Sequence, residues 1–414
     1  MNKPSSPPLS PAAARNAQQA TVYRILLAVS FVHLFNDSIQ AVIPAIFPIL
    51  KDNLYLTFAQ IGWISFTLNV TSSVIQPVIG YAADRKPRPI LLPLGMCCTL
   101  AGVFLLAYAH QYWLVLLSVV LVGLGSATFH PEGMRVAHMA AGLRKGLSQS
   151  IFQVGGNAGQ SLGPMLTKWI FIPFGQIGAL GFTVIAAAGV AVQAYVARWY
   201  KQMLEAGYTF KSRASSTRSL DPARRKSILA ATVILVFLVF VRSWYGAAIG
   251  SYYAFYLMEQ YRLSLDDAQV YIFIYLAAGA VGTFFGGPLA DRYGRRNLIL
   301  FSMVGTVPFA LALPFVNQFW AVVLLAIGGF VLLSSFSVTV IYAQQLHPGN
   351  IGTVSGLITG LAFGLGGIGS LVIGNLIDRL GITQVFVACG FLPLLGLLAL
   401  LLPNDNKLDE WAAE

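Results

Sequence analysis

Gly80-Tyr81-Ala82-Ala83-Asp84-Arg85-Lys86-Pro87-Arg88-Pro89 returns as Gly287-Pro288-Leu289-Ala290-Asp291-Arg292-Tyr293-Gly294-Arg295-Arg296. The two Asp-Arg pairs are 207 residues apart, half of the 414-residue chain. Both copies sit between long apolar runs. A charged hairpin that recurs at half the chain length inside apolar sequence predicts a polytopic membrane protein built from two similar halves.

Composition supports this. The chain is 57% hydrophobic and 10% charged, with a mean hydropathy of +0.71. A soluble protein of this size has too little polar surface for such a balance. The net charge of +11 would suggest nucleic acid in a soluble domain, but the basic residues fall in short loops and tails, where they read as topology signals and lipid headgroup contacts. No nucleic-acid partner is expected. Cys97, Cys98 and Cys389 all lie in apolar segments and show neither a disulfide framework nor a metal-ligand spacing. No metal and no cofactor are predicted.

Runs of roughly 20 apolar residues are needed to cross a bilayer. Such runs divide the chain into a tail (1–22), a first six-helix bundle (23–199), a basic, Ser-rich middle loop (200–227), a second six-helix bundle (228–403) and a second tail (404–414). The fold class expected is therefore all-α, with twelve transmembrane helices in two pseudo-symmetric bundles. With both tails on one side, that side receives 20 lysines and arginines and the other only four, Lys51, Lys168, Arg262 and Arg379. The positive-inside rule then places both termini in the cytosol.

Ionisable residues within the spans are costly to bury and are the first functional candidates. His33 and Asp37 stand four residues apart on one face of span one. Span four carries His130, Pro131, Glu132, Gly133 and Arg135. Glu132 and Arg135 share a face, whereas His130 points away from it on an ideal helix, unless Pro131 and Gly133 break that helix. Asp37, Glu132 and Arg135 are the candidates for proton coupling; a fixed structural ion pair is the alternative for the last two.

Span five presents the amides Gln149, Gln153, Asn157 and Gln160 on one face, and Gly155, Gly159 and Gly163 followed by Pro164 on another. The amides suit a polar ligand or helix–helix hydrogen bonds; the glycines suit close helix packing. Span seven places Arg242 near mid-membrane with Tyr245, Tyr252 and Tyr256 along roughly the same face. A lone arginine there requires an anion: Asp37 across the pseudo-two-fold, a substrate, or both. Tyr245 and Tyr252 suit the wall of a ligand site, while Tyr256 suits an interfacial belt. No nucleophile–base constellation is visible, so no enzymatic activity is expected.

Twelve spans in a 6+6 arrangement with duplicated Gly-x-x-x-Asp-Arg hairpins resemble the major facilitator superfamily. Gly287, Asp291, Arg292, Gly294 and Arg295 follow that family's gating motif well. The first copy keeps Gly80, Asp84 and Arg85 but has Pro87 in place of the motif's second glycine. The hairpins are accordingly expected to act as a gate, with Asp84 and Asp291 capping a neighbouring helix or pairing with an arginine, and with Gly80 and Gly287 allowing close packing.

The strings His33-Leu34-Phe35-Asn36-Asp37, Phe129-His130-Pro131-Glu132 and Gln149-Ser150-Ile151-Phe152-Gln153 are similar to those of the bacterial fosmidomycin-resistance family within it. That resemblance implies a proton-coupled antiporter of the bacterial inner membrane that removes a phosphonate antibiotic. Its partners would be a small anionic substrate, protons and membrane lipid, and a monomer is expected. His33, Asp37, His130, Gln153, Asn157, Arg242, Tyr245 and Tyr252 form the expected substrate site. Arg135 is a further candidate to bind the anion. Import or facilitated passage of an organic anion or sugar derivative is the alternative on the same fold, and a non-transporting receptor is a more distant one.

Overall fold

The structure is a computed structural model and describes residues 21–142, 145–207, 222–347 and 351–413. Every regular element among them is helical. The principal helices are α1 (Tyr23–Ala45), α2 (Phe58–Arg85), α3 (Leu91–Ala107), α4 (Tyr112–Ala140), α5 (Lys145–Leu166) and α6 (Ala179–Glu205). They are followed by α7 (Pro222–Tyr261), α8 (Leu265–Tyr293), α9 (Arg295–Val304), α10 (Gln318–Leu333), α11 (Ile351–Leu380) and α12 (Ile382–Cys389). Further pieces extend several of them, notably Phe47–Leu54 after α1, Phe336–Leu346 after α10 and the 3-10 stretch Leu392–Leu401 after α12. The helix Asp405–Ala413 ends the chain's described part.

Among the described residues, nine stretches are long and apolar enough to cross a membrane. One of them, Ile151–Glu205, is a 55-residue run that holds α6 and most of α5. Large apolar side chains such as Leu27, Val78, Val184, Phe284 and Leu401 project from the outside of the bundle. In water such a surface would drive aggregation; against lipid it is the expected exterior.

Local chemistry starts several of these helices. Thr57 and Gln60 form a capping box at the start of α2, Ser264 caps α8 with Asp266 and Asp267 in its first turn, and Asn317 caps α10. In each case a side-chain oxygen satisfies an amide that would otherwise lack a partner. Pro131 does not interrupt α4, which runs unbroken from Tyr112 to Ala140. Pro131 and Gly133 leave the helix intact, so His130 and Glu132 face different neighbours, as the ideal-helix spacing predicts.

In the first half α1 packs on α5, and α4 packs on both α2 and α3; in the second, α8 packs on α10 and α7 on α11. The halves meet along two seams, α2 with α11 and α5 with α8. The α2–α11 seam is polar and close. Ser65 and Ser370 share a hydrogen bond of 3.0 Å, and a Cβ on Gly62 would lie 2.8 Å from the Ser370 carbonyl. Where α2 begins, Asp378 of α11 accepts from the amides of Phe58 (3.0 Å) and Ala59 (2.7 Å). The α5–α8 seam is closed near the same end by Lys168 and Asp266 at 2.9 Å. These contacts clamp the halves at the end opposite the two Asp-Arg hairpins. The glycines of α11 fit the same seam: Gly364 faces Ser73, and Gly367 faces Asn69 and Phe66.

The glycine stripe of α5 abuts α1 directly. A Cβ on Gly155, Gly159 or Gly163 would lie 2.2, 2.4 or 2.6 Å from Ser30, Leu34 or Ala41 respectively. Pro164 follows within the same helix. This approach holds the polar residues of α1 and α5 together. Gly159→Ala is expected to destabilise the protein by about 1–3 kcal/mol through overpacking. Gly246→Ala, where the added methyl meets nothing within 4 Å, is expected to be neutral or stabilising. Thermal unfolding of the two variants in detergent checks the contrast, and equal melting temperatures would contradict the packing account.

Candidate functional site

Three elements converge on Asp37. From α1, Asn36 donates to Oδ1 at 3.0 Å and Gln40 at 3.5 Å, and the His33 ring stands with Nε2 3.5 Å from Oδ2. From α4, His130 places Nε2 3.5 Å from Oδ1. From α5, Gln160 donates to Oδ2 at 3.2 Å. Asp37 is 3% exposed, so these donors replace the water that a buried carboxylate would otherwise lack.

Each histidine is anchored at its other nitrogen. His33 Nδ1 lies 2.8 Å from the Phe152 carbonyl, and the ring stacks on Phe152 with centroids 4.1 Å apart. His130 Nδ1 lies 3.0 Å from the Ser126 carbonyl and 3.1 Å from its hydroxyl. Room for the His33 ring exists because residue 156 is glycine; a Cβ there would come within 2.5 Å of the ring. Gln153 and Asn157 bond each other at 3.4 Å on the adjoining face of α5 and remain half-buried. The side chain of Gln149, the first amide of that stripe, lies outside the described residues.

Glu132 is fully buried on the other face of α4, with Arg135 Nε 4.0 Å from its carboxylate. Arg135 turns away from the Asp37 cluster. It donates to the carbonyls of Ala83 (2.6 Å) and Gly80 (3.5 Å), at the C-terminal end of α2 and therefore inside the first hairpin. A cation on the last carbonyls of a helix satisfies orphan acceptors and complements the dipole. Arg135 thus belongs to the hairpin and not, as its sequence position suggests, to the ligand set.

In the second half Arg242 is 6% exposed. Its Nη1 donates to Ser335 (3.3 Å) and Thr339 (3.2 Å), and its guanidinium lies over the Phe336 ring at 5.2 Å. Ser335 in turn bonds Ser302 of α9 at 2.6 Å. Asp37 is not its partner, contrary to one of the two expectations, because the carboxylate is held by its own half. Among the described residues Nε and Nη2 of Arg242 meet no acceptor, and no carboxylate pairs with it. Tyr275, within electrostatic reach of the guanidinium, is buried with its hydroxyl lacking a hydrogen-bond partner among the described residues.

The tyrosines of α7 divide differently from the sequence expectation. Tyr245 is buried beside Tyr275. Tyr252 sits in the seam, donating to the Ser370 carbonyl at 2.6 Å and approaching that of Phe58 at 3.5 Å, which makes it an interhalf strut instead of a ligand-site wall. Tyr256 is fully buried against Tyr253 and Phe386 and donates to Pro314, so it is not a membrane-belt residue.

The hairpins also depart from expectation. Gly80 has only an ordinary contact with Pro131, and Gly287 has no neighbour for an added Cβ within 4 Å, so neither serves close packing here. The Asp84 side chain lies outside the described residues. Asp291 is exposed, and Arg85 and Arg292 lie over the adjacent rings of Tyr81 and Tyr293. The residue that caps α9 is Asp405, from the C-terminal segment. It accepts from the amides of Arg295 (3.0 Å) and Arg296 (3.4 Å) and lies 3.6 Å from Arg295 Nη1, which also bonds Gln345 at 2.8 Å. Gly294 has φ +91°, and a Cβ there would lie 2.8 Å from the Asp405 carboxylate. The second copy therefore requires glycine, whereas the first, with Pro87 near that position, is built on Arg135.

Two helical halves clamped at one end, with ionisable residues buried in each, define a polytopic membrane transporter. The Major Facilitator Superfamily family model matches residues 26–368 and again 235–413. The chain belongs to that superfamily. It is 52% identical over 391 residues to an uncharacterized MFS-type transporter of Bacillus subtilis, covering 94% of this chain and 95% of that one. It is 46% identical over 402 residues to the fosmidomycin resistance protein of Escherichia coli, covering 97% and 98%. Among solved structures, a bacterial homologue of the human lysosomal transporter Spinster superposes with a TM-score of 0.74 at 17% identity, over 92% of this chain and 96% of that one. The last likeness concerns the fold.

Asp405→Ala removes the cap of α9 and is expected to cost about 0.5–2 kcal/mol locally. Hydrogen–deuterium exchange should show faster exchange over Arg295–Val304 with little change in α4. Undiminished protection of α9 would contradict the capping role of Asp405.

Proposed function

We propose that the protein exports a small anionic compound of the phosphonate type across a bacterial inner membrane, driven by protons moving the other way. The observation that carries this reading is Arg242, a buried guanidinium whose Nε and Nη2 meet no acceptor among the described residues. Those two donors form a planar fork suited to two oxygens of one anion. A phosphonate offers such a pair, and the relative from Escherichia coli is a fosmidomycin resistance protein. Tyr245 in the second half and the amides Gln153 and Asn157 in the first are the proposed further contacts, together with His33 and His130.

Energy coupling is proposed to run through the two buried carboxylates, Asp37 and Glu132, without a cofactor. Glu132 is the one tied to the gate, because its neighbour Arg135 holds the first hairpin through Gly80 and Ala83. Neutralising Glu132 weakens its hold on Arg135 and biases the hairpin, so that the halves rock about the substrate site. Both termini are proposed to be cytosolic, with a single chain as the working unit.

In inside-out vesicles, an imposed proton gradient should drive fosmidomycin into the lumen. Arg242→Lys should lower that rate by about tenfold to a hundredfold, the equivalent of one lost charge-assisted bond of roughly 1.5–3 kcal/mol. Unchanged uptake would remove Arg242 from the substrate site. Glu132→Gln should abolish the dependence on the gradient while leaving fosmidomycin binding measurable; gradient-driven accumulation at the wild-type rate would refute its coupling role. Accumulation of the drug by intact cells expressing the protein would instead indicate import.

A further inference from the structure

We propose that His33, Asp37 and His130 form a binding site for a transition-metal dication of the Zn2+ class. The ligand atoms are His33 Nε2, one oxygen of Asp37 and His130 Nε2, and all lie within 4.8 Å of one another. Binding here is independent of which compound the protein moves, and with an ion on Asp37 proton coupling falls to Glu132 alone, because a ligating carboxylate stays deprotonated.

The hydrogen-bond network directs both imidazoles into such a site. A backbone carbonyl accepts and never donates, so the 2.8 Å contact of His33 Nδ1 with the Phe152 carbonyl assigns the proton to Nδ1. The 3.0 Å contact of His130 Nδ1 with the Ser126 carbonyl assigns it likewise. In the neutral rings Nε2 is then a bare lone pair, and both lone pairs face the Asp37 carboxylate, itself an acceptor. Three acceptors converging in a buried site repel one another unless a cation lies between them.

Distances favour a metal over a shared proton. Charge-assisted N–H···O bonds run at about 2.7–2.9 Å, whereas both imidazole–carboxylate contacts are 3.5 Å. Ligands held about 2.0–2.1 Å from a tetrahedral zinc stand roughly 3.3–3.4 Å apart. Each imidazole is 3.5 Å from the carboxylate oxygen it faces, His33 from Oδ2 and His130 from Oδ1, and the remaining ligand separation, within 4.8 Å, has to close by a small inward shift of the rings as the ion binds. An imidazole that donates Nδ1–H to a carbonyl while offering Nε2 is the usual outer-shell arrangement of a metal-binding histidine. The amides of Asn36 and Gln160 orient the carboxylate in the same way. Gly156 leaves the space the His33 ring occupies, since a Cβ there would fall 2.5 Å from Nε2. Three protein ligands leave the fourth position for water.

Because the ligands come from α1 and α4, with α5 supporting them, an ion at this point would pin the three helices together. Any movement between α1 and α4 would have to break a metal–ligand bond.

The test is Zn2+ binding to the purified full-length protein in detergent, by isothermal titration calorimetry and zinc-edge X-ray absorption. One saturable site with a nitrogen/oxygen shell is expected in the wild type and in His110→Gln, whose imidazole is exposed and far from the cluster in sequence. His33→Gln and Asp37→Asn should each weaken binding by at least about tenfold to a hundredfold. His130→Cys guards against mere misfolding: it should keep a saturable site and add a sulfur at about 2.3 Å. Absence of a saturable site in the wild type, equal affinity in the His33 and Asp37 variants, or a sulfur-free shell in the cysteine variant would overturn the proposal.

Discussion

A guanidinium inside an apolar bundle is the constraint on which the second half depends. Arg242 cannot lose its charge readily, and burial deprives it of water. The protein answers with two hydroxyls and an aromatic face in place of a carboxylate. Neutral partners hold the side chain in place without cancelling its charge. A carboxylate at that point would form a closed ion pair and leave little attraction for an incoming anion. The hydroxyl chain through Ser335 to Ser302 extends the hold from α7 to α9.

The first half handles the opposite charge in the opposite way. Asp37 is surrounded by amide donors and imidazoles from α1, α4 and α5, and the close glycine contact of α1 with α5 makes that possible. On the other face of α4, Glu132 and Arg135 link the bundle interior to the first hairpin. The second hairpin is held differently, capped from outside by Asp405. Tyr342 donates to Pro403 and Arg224 bonds Trp411, so the C-terminal segment joins α7, α9 and the α10 extension into one unit. The duplicated hairpins are alike in sequence and fixed by different means.

Much of the fold was legible because hydrocarbon imposes simple rules: the length of apolar runs and the spacing of small residues on one helical face. The Gly155, Gly159 and Gly163 stripe and the Glu132–Arg135 pair are local, at intervals of three or four, and helical geometry alone brings them together. What was not legible depends on which helices become neighbours. His33, Asp37 and His130 lie on two spans separated by about a hundred residues, and Gln160, read only as one amide of a stripe, proves to be a direct partner of Asp37. The placement of Arg135 at Gly80 and Ala83 follows from the packing of α4 on α2. Tyr252 and Tyr256 share a face with Arg242, yet the seam and the α12 contact bury them elsewhere. The need for glycine at 294 becomes clear only once Asp405 is seen beside it.

A cryo-electron microscopy structure of the protein with fosmidomycin bound would show whether Arg242 holds the drug. Phosphonate oxygens are expected at about 2.7–2.9 Å from both Nε and Nη2 of Arg242, with Ser335 and Thr339 still holding Nη1. A bound drug located away from Arg242, or an aspartate or glutamate of the protein paired with that guanidinium in the bound state, would contradict that placement.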